Sequence, residues 1–145
     1  NQIKQYNLYA WSDKANDYVL TSYHDTPIAY SPQAVLSNTL TFTHRAFEAA
    51  LTSQYVGMQY LDNTGSRERS LPAYHVANLR LGYELPVHFV RSWSINLQVN
   101  NLFNARYASN GNAYYKFNDQ GILQNKVAIF PQAGIHAFLG TTITL

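Results

Sequence analysis

Hydrophobic and polar positions alternate with a period of two along most of this chain, and that alternation predicts β-strands. From Val35 to Thr43, Leu36, Leu40 and Phe42 share one face, while Val35, Ser37, Thr39, Thr41 and Thr43 share the other. From Ala46 to Tyr60, Phe47, Ala49, Leu51 and Tyr55 alternate with Glu48, Thr52 and Gln54. From Tyr74 to Leu85, Ala77, Leu79, Leu81, Tyr83 and Leu85 oppose Asn78, Arg80 and Glu84. From Trp93 to Phe103, Ile95, Leu97 and Val99 oppose Ser94, Asn96, Gln98 and Asn100. The last strand, Ile135 to Leu145, sets Ile135, Ala137, Leu139, Ile143 and Leu145 against His136, Thr142 and Thr144. A sixth strand is expected from Gln2 to Trp11. Tyr114 to Phe117 and Lys126 to Phe130 flank Asn118-Asp119-Gln120-Gly121 and predict a hairpin with an Asp/Gly-type turn.

The connections alternate in length. Thr43 to Arg45 and Pro86 to Arg91 are short, whereas Ser12 to Gln33, Leu61 to Ala73 and Asn104 to Ala133 are long and rich in Asn, Asp, Gly, Ser and Tyr. A soluble meander has no reason for this pattern, but outer-membrane barrels pair short periplasmic turns with long outer loops. The expectation is an all-β, antiparallel, up-and-down transmembrane barrel seen through about six of its strands. Strands Ala46 to Tyr60 and Trp93 to Phe103 would run outward, and the other three inward. Phe42, Phe47, Tyr83 and Trp93 would then form an inner aromatic girdle, and Tyr55, Tyr60 and Tyr74 an outer one.

Composition agrees. Hydrophobic residues make up 46% of the 145 and charged residues only 12%, while aromatics reach 14% with twelve tyrosines, a balance that suits a sheet with one apolar and one polar face. Ten Lys and Arg against eight Asp and Glu give a net charge of +2, too small and too scattered for a nucleic-acid groove. There is no cysteine, so disulfides and thiolate metal sites are excluded. No run of about 18 apolar residues is present, which excludes a spanning helix but not a spanning barrel. The sequence starts at Asn1 without methionine or signal peptide and reads as a portion of a longer protein. Alone, such a sheet would leave two edges and a broad apolar face uncovered.

Catalytic chemistry is not expected. His24, His44, His75, His88 and His136 never stand at metal-ligand spacing, and no cofactor motif occurs. No Gly-x-Ser-x-Gly elbow frames a nucleophile, and Glu48 and Glu84 are the sole paired carboxylates, one of which would meet Arg80 as a structural ion pair. Binding is a better prospect, because tyrosines and asparagines in outer loops stack on and hydrogen-bond to small ligands. The candidates are Tyr18, Tyr23, Tyr30, Tyr60, Asn63, Tyr107, Asn110, Asn112, Tyr114 and Tyr115. Glu48, Asn78, Arg80, Asn96, Gln98 and Asn100 are expected to face the lumen, since a wet, plugged lumen tolerates polar side chains where a dry core would not.

Particular wording sharpens this. Val99-Asn100-Asn101-Leu102-Phe103-Asn104-Ala105-Arg106-Tyr107, then Phe130-Pro131-Gln132-Ala133-Gly134 and a final alternating strand, resembles the C-terminal end of a TonB-dependent outer-membrane receptor. Gln54 to Thr64, Leu71-Pro72-Ala73-Tyr74 and Asn78-Leu79-Arg80-Leu81-Gly82-Tyr83 are similar to receptors of Bacteroides-type bacteria. The resemblance implies that residues 1–145 are the C-terminal part of a barrel of about 22 strands, with the plug domain and TonB box lying outside this sequence. It implies an active transporter of the bacterial outer membrane that imports a scarce nutrient (iron chelate, haem, cobalamin or glycan) with energy relayed by TonB. Its implied partners are the rest of the barrel and its plug, outer-membrane lipid, and the TonB complex through the N-terminal part; whether a surface lipoprotein joins them is left open by the sequence. The family's last strand usually ends in an aromatic residue, whereas this sequence ends at Leu145, which is either an aliphatic terminus or the end of a chain cut one or more residues short. The rival readings are a soluble β-sandwich that binds sugars and a small complete porin-like or adhesin-like barrel.

Overall fold

A computed structural model describes residues 2–145, which form β-strands and a single 3-10 turn at Arg67–Arg69. In chain order the strands are β1 (Gln2–Ser12), β2 (Asp17–Pro27), β3 (Val35–His44), β4 (Phe47–Val56), β5 (Gln59–Tyr60), β6 (Ser70–Leu71), β7 (Tyr74–Glu84), β8 (Ser92–Asn100), β9 (Ala108–Phe117), β10 (Leu123–Pro131) and β11 (His136–Thr144). They divide into two compact units.

One unit comprises residues 34–56, 74–106 and 132–145. Its five strands form an open antiparallel sheet in the order β11-β8-β7-β4-β3. The strands hold 9 to 11 residues, the length a tilted strand needs to cross a bilayer. Register sorts their side chains into two faces. Leu40 pairs with Leu51, Leu51 with Leu79, Leu79 with Val99, and Val99 with Ala137. Thr39 pairs with Thr52, Thr52 with Asn78, Arg80 with Gln98, and Gln98 with Phe138. The charged side chains of these strands, Glu48, Arg80 and Glu84, all fall on the second face. The first face stands open: Leu40 is 68% exposed and Leu139 76%.

Phe42, Phe47, Tyr83 and Trp93 lie together at the end of the sheet that carries the short turns, with Phe47 registered against Tyr83 and the Phe42 and Phe47 rings 6.5 Å apart. The two-residue turn at Arg45 and Ala46 places Arg45 at φ 53°. At the other end the expected girdle changes. Tyr55 shares the apolar face, but Tyr74 sits two places before Val76 and four before Asn78, and so lies on the polar face. Tyr60 is outside this sheet altogether, because the strand expected to reach it ends at Val56, before Gly57, and residues 57–73 belong to the other unit.

The segment after β8 is held by asparagines. Asn101 is 3% exposed at φ 50°, a left-handed conformation that asparagine tolerates better than most residues. Its backbone N–H donates to Asn78 Oδ1 at 2.9 Å, and its side-chain amide donates to the carbonyls of Ala105 (2.9 Å) and Ala133 (3.0 Å) while accepting from the Ala105 N–H at 2.8 Å. Asn104, at φ 52°, accepts the Ile135 N–H at 3.0 Å. Gly134 leaves room beside it: a Cβ there would stand 2.6 Å from Asn104 Oδ1 and displace that amide from the Ile135 N–H. The Asn-Leu-Phe-Asn and Phe-Pro-Gln-Ala-Gly stretches thus clasp each other and set the start of β11 against β8. The strand expected to run through Phe103 stops at Asn100 for the same reason.

The other unit comprises residues 1–33, 57–73 and 107–131. The β1–β2 hairpin pairs from Gln2 with Pro27 to Ser12 with Asp17. β2 lies inside the long connection expected from Ser12 to Gln33, and the cause is visible in Asp17 to Pro27: apolar and polar residues occur on both of its faces, so no alternation shows. The expected hairpin around Asn118 to Gly121 is present and longer than its motif, as β9 and β10. β1 and β9 meet in parallel at Ser12 and Phe117, and the Asp13 N–H donates to the Phe117 carbonyl at 3.0 Å. The small core is Leu61, Leu71 and Ala108.

Replacing Asn101 should weaken the closing strand. Asn101→Ala removes three hydrogen bonds to the Ala105 and Ala133 backbone groups, at about 1 kcal/mol for each. A lower urea midpoint of the whole protein, by about 3 kcal/mol in stability, is expected, while Asn38→Ala on exposed β3 leaves it unchanged.

Candidate functional site

Two groups of side chains are candidates. On the five-stranded sheet, Glu48, Asn78, Arg80, Asn96, Gln98 and Asn100 share one face, and part of it forms a groove of about 430 Å³ lined by Thr39, Thr41, Thr52 and Gln98 around the Arg80–Glu48 pair. Arg80 Nη2 reaches Glu48 Oε1 at 3.0 Å, with both side chains about half exposed, so the pair contributes at most about 1 kcal/mol. Gln98 Nε2 donates to Asn100 Oδ1 at 2.9 Å, Asn100 Nδ2 lies 3.1 Å from His136 Nε2, and His136 Nδ1 lies 2.9 Å from the Gly134 carbonyl. A carbonyl only accepts, so the proton sits on Nδ1 and Nε2 accepts from the amide. The chain of bonds ties the imidazole on β11 to the amides of β8.

The aromatic and amide candidates lie in the other unit, where several serve the fold. Asn63 Oδ1 accepts the Ala29 N–H at 2.7 Å, and Asn110 Oδ1 accepts the Gly111 N–H at 2.8 Å. Tyr30 donates its hydroxyl to the Gly111 carbonyl at 2.9 Å and its backbone N–H to the Tyr60 carbonyl at 2.8 Å. Tyr23 tilts against Tyr6 with ring centres 6.4 Å apart. Tyr107 is half-buried and Asn112 exposed. Tyr18 and Tyr114 are exposed, at 64% and 58%. These residues do not converge on one pocket.

The polar centre of this unit was not legible as a site. Arg69, 3% exposed, donates through Nε to Asp62 Oδ2 at 2.6 Å, through Nη2 to Thr64 Oγ1 and through Nη1 to Asn125 Oδ1. Asp62 Oδ1 also takes the Thr64 hydroxyl at 2.6 Å and its N–H at 3.0 Å, and Asn125 Nδ2 donates to Glu68 Oε2 at 2.6 Å. The guanidinium stands 5.7 Å from the centre of the Tyr115 ring. Burial, followed by the hydrogen bond and charge of Tyr6, pushes the Tyr115 phenol up to about 12. The Asp62-x-Thr64 spacing was the available signal, since a short acid two residues before a hydroxyl makes an Asx turn. Nothing local marks Arg69, whose Asn125 partner is far away in sequence. At the edge of the hairpins, Lys116 Nζ meets Asp13 Oδ2 at 2.9 Å and holds that carboxyl below its usual range.

Removing one member of a buried ion pair leaves the other uncompensated, at about 3–5 kcal/mol. Arg69→Met should therefore open residues 57–73 and the β9–β10 hairpin together, seen as simultaneous gain of protease cleavage in both. Tyr115 is raised in the folded state, so the stability it supplies is complete below pH 10 and is lost as pH climbs from 10 towards 12. Absorbance of phenolate should show one late-titrating tyrosine in the whole protein, and Tyr115→Phe should delete that step.

Residues 3–102 match the family described as TonB dependent receptor-like, beta-barrel. The match runs from β1 through β8, and the clasp partners Phe130 to Gly134 and strand β11 lie beyond it. No curated protein and no solved structure matches the chain. The family consists of outer-membrane transporters rather than enzymes. With two-thirds of its length matched, and with a two-faced antiparallel sheet of membrane-spanning strand length, this chain belongs to the TonB-dependent receptor β-barrel family.

Proposed function

We propose that residues 1–145 form the C-terminal wall and mouth of an outer-membrane transporter that imports a scarce nutrient with energy relayed by TonB. The plug and TonB box would lie elsewhere in the same protein. The observation that carries the reading is the segregation of charge: Glu48, Arg80 and Glu84 share one face of the sheet, and the other presents Leu36, Leu40, Phe42, Leu139 and Ile143 to its surroundings. The apolar face meets lipid, and the polar face, with Asn78, Arg80, Asn96, Gln98 and Asn100, meets the plug or lumenal water. A sandwich would bury the leucines in a second layer, and the sheet has none over them.

On this reading the segments that leave the sheet between β4 and β7 and between β8 and β11, together with β1 and β2, stand outside the cell. Tyr18, Tyr23, Tyr60, Tyr107 and Tyr114 then take part in ligand capture. The Arg69 network keeps these segments in one arrangement, so a ligand need not order them on binding.

Neighbouring residues on β8 separate the readings. Leu97 lies mid-strand on the apolar face and Gln98 on the other. In the full-length protein Leu97→Arg should cost about 2–4 kcal/mol of barrel stability and deplete folded, heat-modifiable protein from the outer-membrane fraction, whereas Gln98→Arg should be tolerated. Equal tolerance of both, or recovery of the protein in the soluble fraction, would discard the membrane wall.

A further inference from the structure

We propose that the open face of the β1–β2 hairpin is a docking site for a neutral, extended saccharide. Register places Trp11 opposite Tyr18, Tyr9 opposite Leu20, Asn7 opposite Ser22 and Gln5 opposite His24, all on that face. The reverse face is packed along Leu8, Ala10 and Ser12, which are buried. The open one presents Tyr9 and Tyr18 at 64% exposure each, Leu20 at 49% and Trp11 at 37%. A contiguous apolar patch of this kind on a surface element marks a binding surface.

The rings are set before any ligand arrives. Trp11 and Tyr18 meet edge to face at 5.5 Å and 80°, and the indole Nε1 donates to Asp13 Oδ1 at 3.1 Å. Fixed rings lose little rotamer freedom on binding. Beside them, Asn7 Oδ1 accepts from Ser22 Oγ at 2.9 Å and from Gln5 Nε2 at 3.5 Å. The Asn7 amide nitrogen and Gln5 Oε1 have no hydrogen-bond partner among the described residues and remain open to a ligand.

Charge selects the occupant. Lys4, Asp17 and Asp25, the charged residues of the two strands, all fall in the opposite register, and Asp13, which takes the Trp11 indole N–H just beyond β1, is already paired with Lys116 at 2.9 Å. A phosphate or an anionic chelate would call for Arg or Lys on this face. An acyl chain would find amides where it needs apolar surface. Rings flanked by amides and hydroxyls, with the neighbouring Asp13 carboxylate neutralised by Lys116, fit a polyol, whose C–H faces stack on aromatic rings while its hydroxyls exchange hydrogen bonds with the amides. Gln5 to Trp11 spans about 20 Å at ~3.3 Å per residue, long enough for several sugar units in a row. The proposal rests on the transporter reading in one respect, that β1 and β2 face the cell exterior.

The test uses the full-length protein in detergent and an array of linear neutral glucans, xylans and mannans beside acidic oligosaccharides. Binding of a neutral oligosaccharide is expected, with Trp11→Ala and Tyr18→Ala each weakening it at least tenfold and Trp11→Phe restoring most of it. No neutral binder, a preference for acidic sugars, unchanged binding by Trp11→Ala, or an indole at position 11 shielded from acrylamide would each overturn the docking face. Membrane fractionation of the same sample keeps the two ideas apart. Saccharide binding by a protein absent from the outer membrane sinks the transporter and spares the docking face, and an outer-membrane protein that binds none does the reverse.

Discussion

A backbone in hydrocarbon has no water to satisfy its N–H and C=O groups, and the antiparallel ladder from β3 to β11 is the device on which the rest of this chain depends. Once neighbouring strands satisfy one another, the pleat sends alternate side chains to opposite faces, and a slip of one residue would send Arg80 and Glu48 to the face of Leu79 and Phe47. Register is therefore under strong constraint in the sheet. Unbroken pairing of Phe47 to Val56 with Tyr83 to Tyr74 is the consequence, and Glu48, Arg80 and Glu84 can be charged because the pleat keeps them together on one side.

That ladder does not by itself fix where each strand begins. After β8 the chain must leave the sheet and later return to pair with β8 again, and Asn101 bonds to both departing and returning segments through Ala105 and Ala133. Asparagine is suited to this by two properties at once: it tolerates positive φ, and its amide both donates and accepts. The second unit solves a similar problem with charge. The apolar cluster that joins its segments among the described residues, Leu61, Leu71 and Ala108, is small, and Arg69 adds to it by bonding to Asp62, Thr64 and Asn125.

The difference between these devices explains what could be read from the sequence. Alternation in Val35 to Thr43, Tyr74 to Leu85 and Trp93 to Phe103 reports a repeated physical demand, one face apolar and one polar, and so located β3, β7 and β8 within a few residues. β2 obeys no such demand, since Tyr18 and Leu20 are exposed on one face while Val19 and Tyr23 are half-buried on the other, and it passed for a loop. The face of Tyr74 follows from its parity with Asn78 and not from its being aromatic. Arg69 and Asn125 lie in different segments, and their meeting is a property of the fold that no local pattern encodes.

Among the tyrosines and asparagines of the second unit, the fold itself decides which are free to bind. Asn63 and Asn110 spend their side-chain oxygens on backbone N–H groups, and Tyr115 lies beside Arg69. A residue already satisfied in this way would have to break a bond to take a ligand, which cancels most of what the new contact contributes. Trp11 and Tyr18 differ, because their rings are positioned by each other while still exposed. Ordering without burial is the condition that favours tight recognition, since the entropy cost has been met in folding and the contact surface is still available. The β1–β2 hairpin meets that condition because its reverse face is packed and its front face is not.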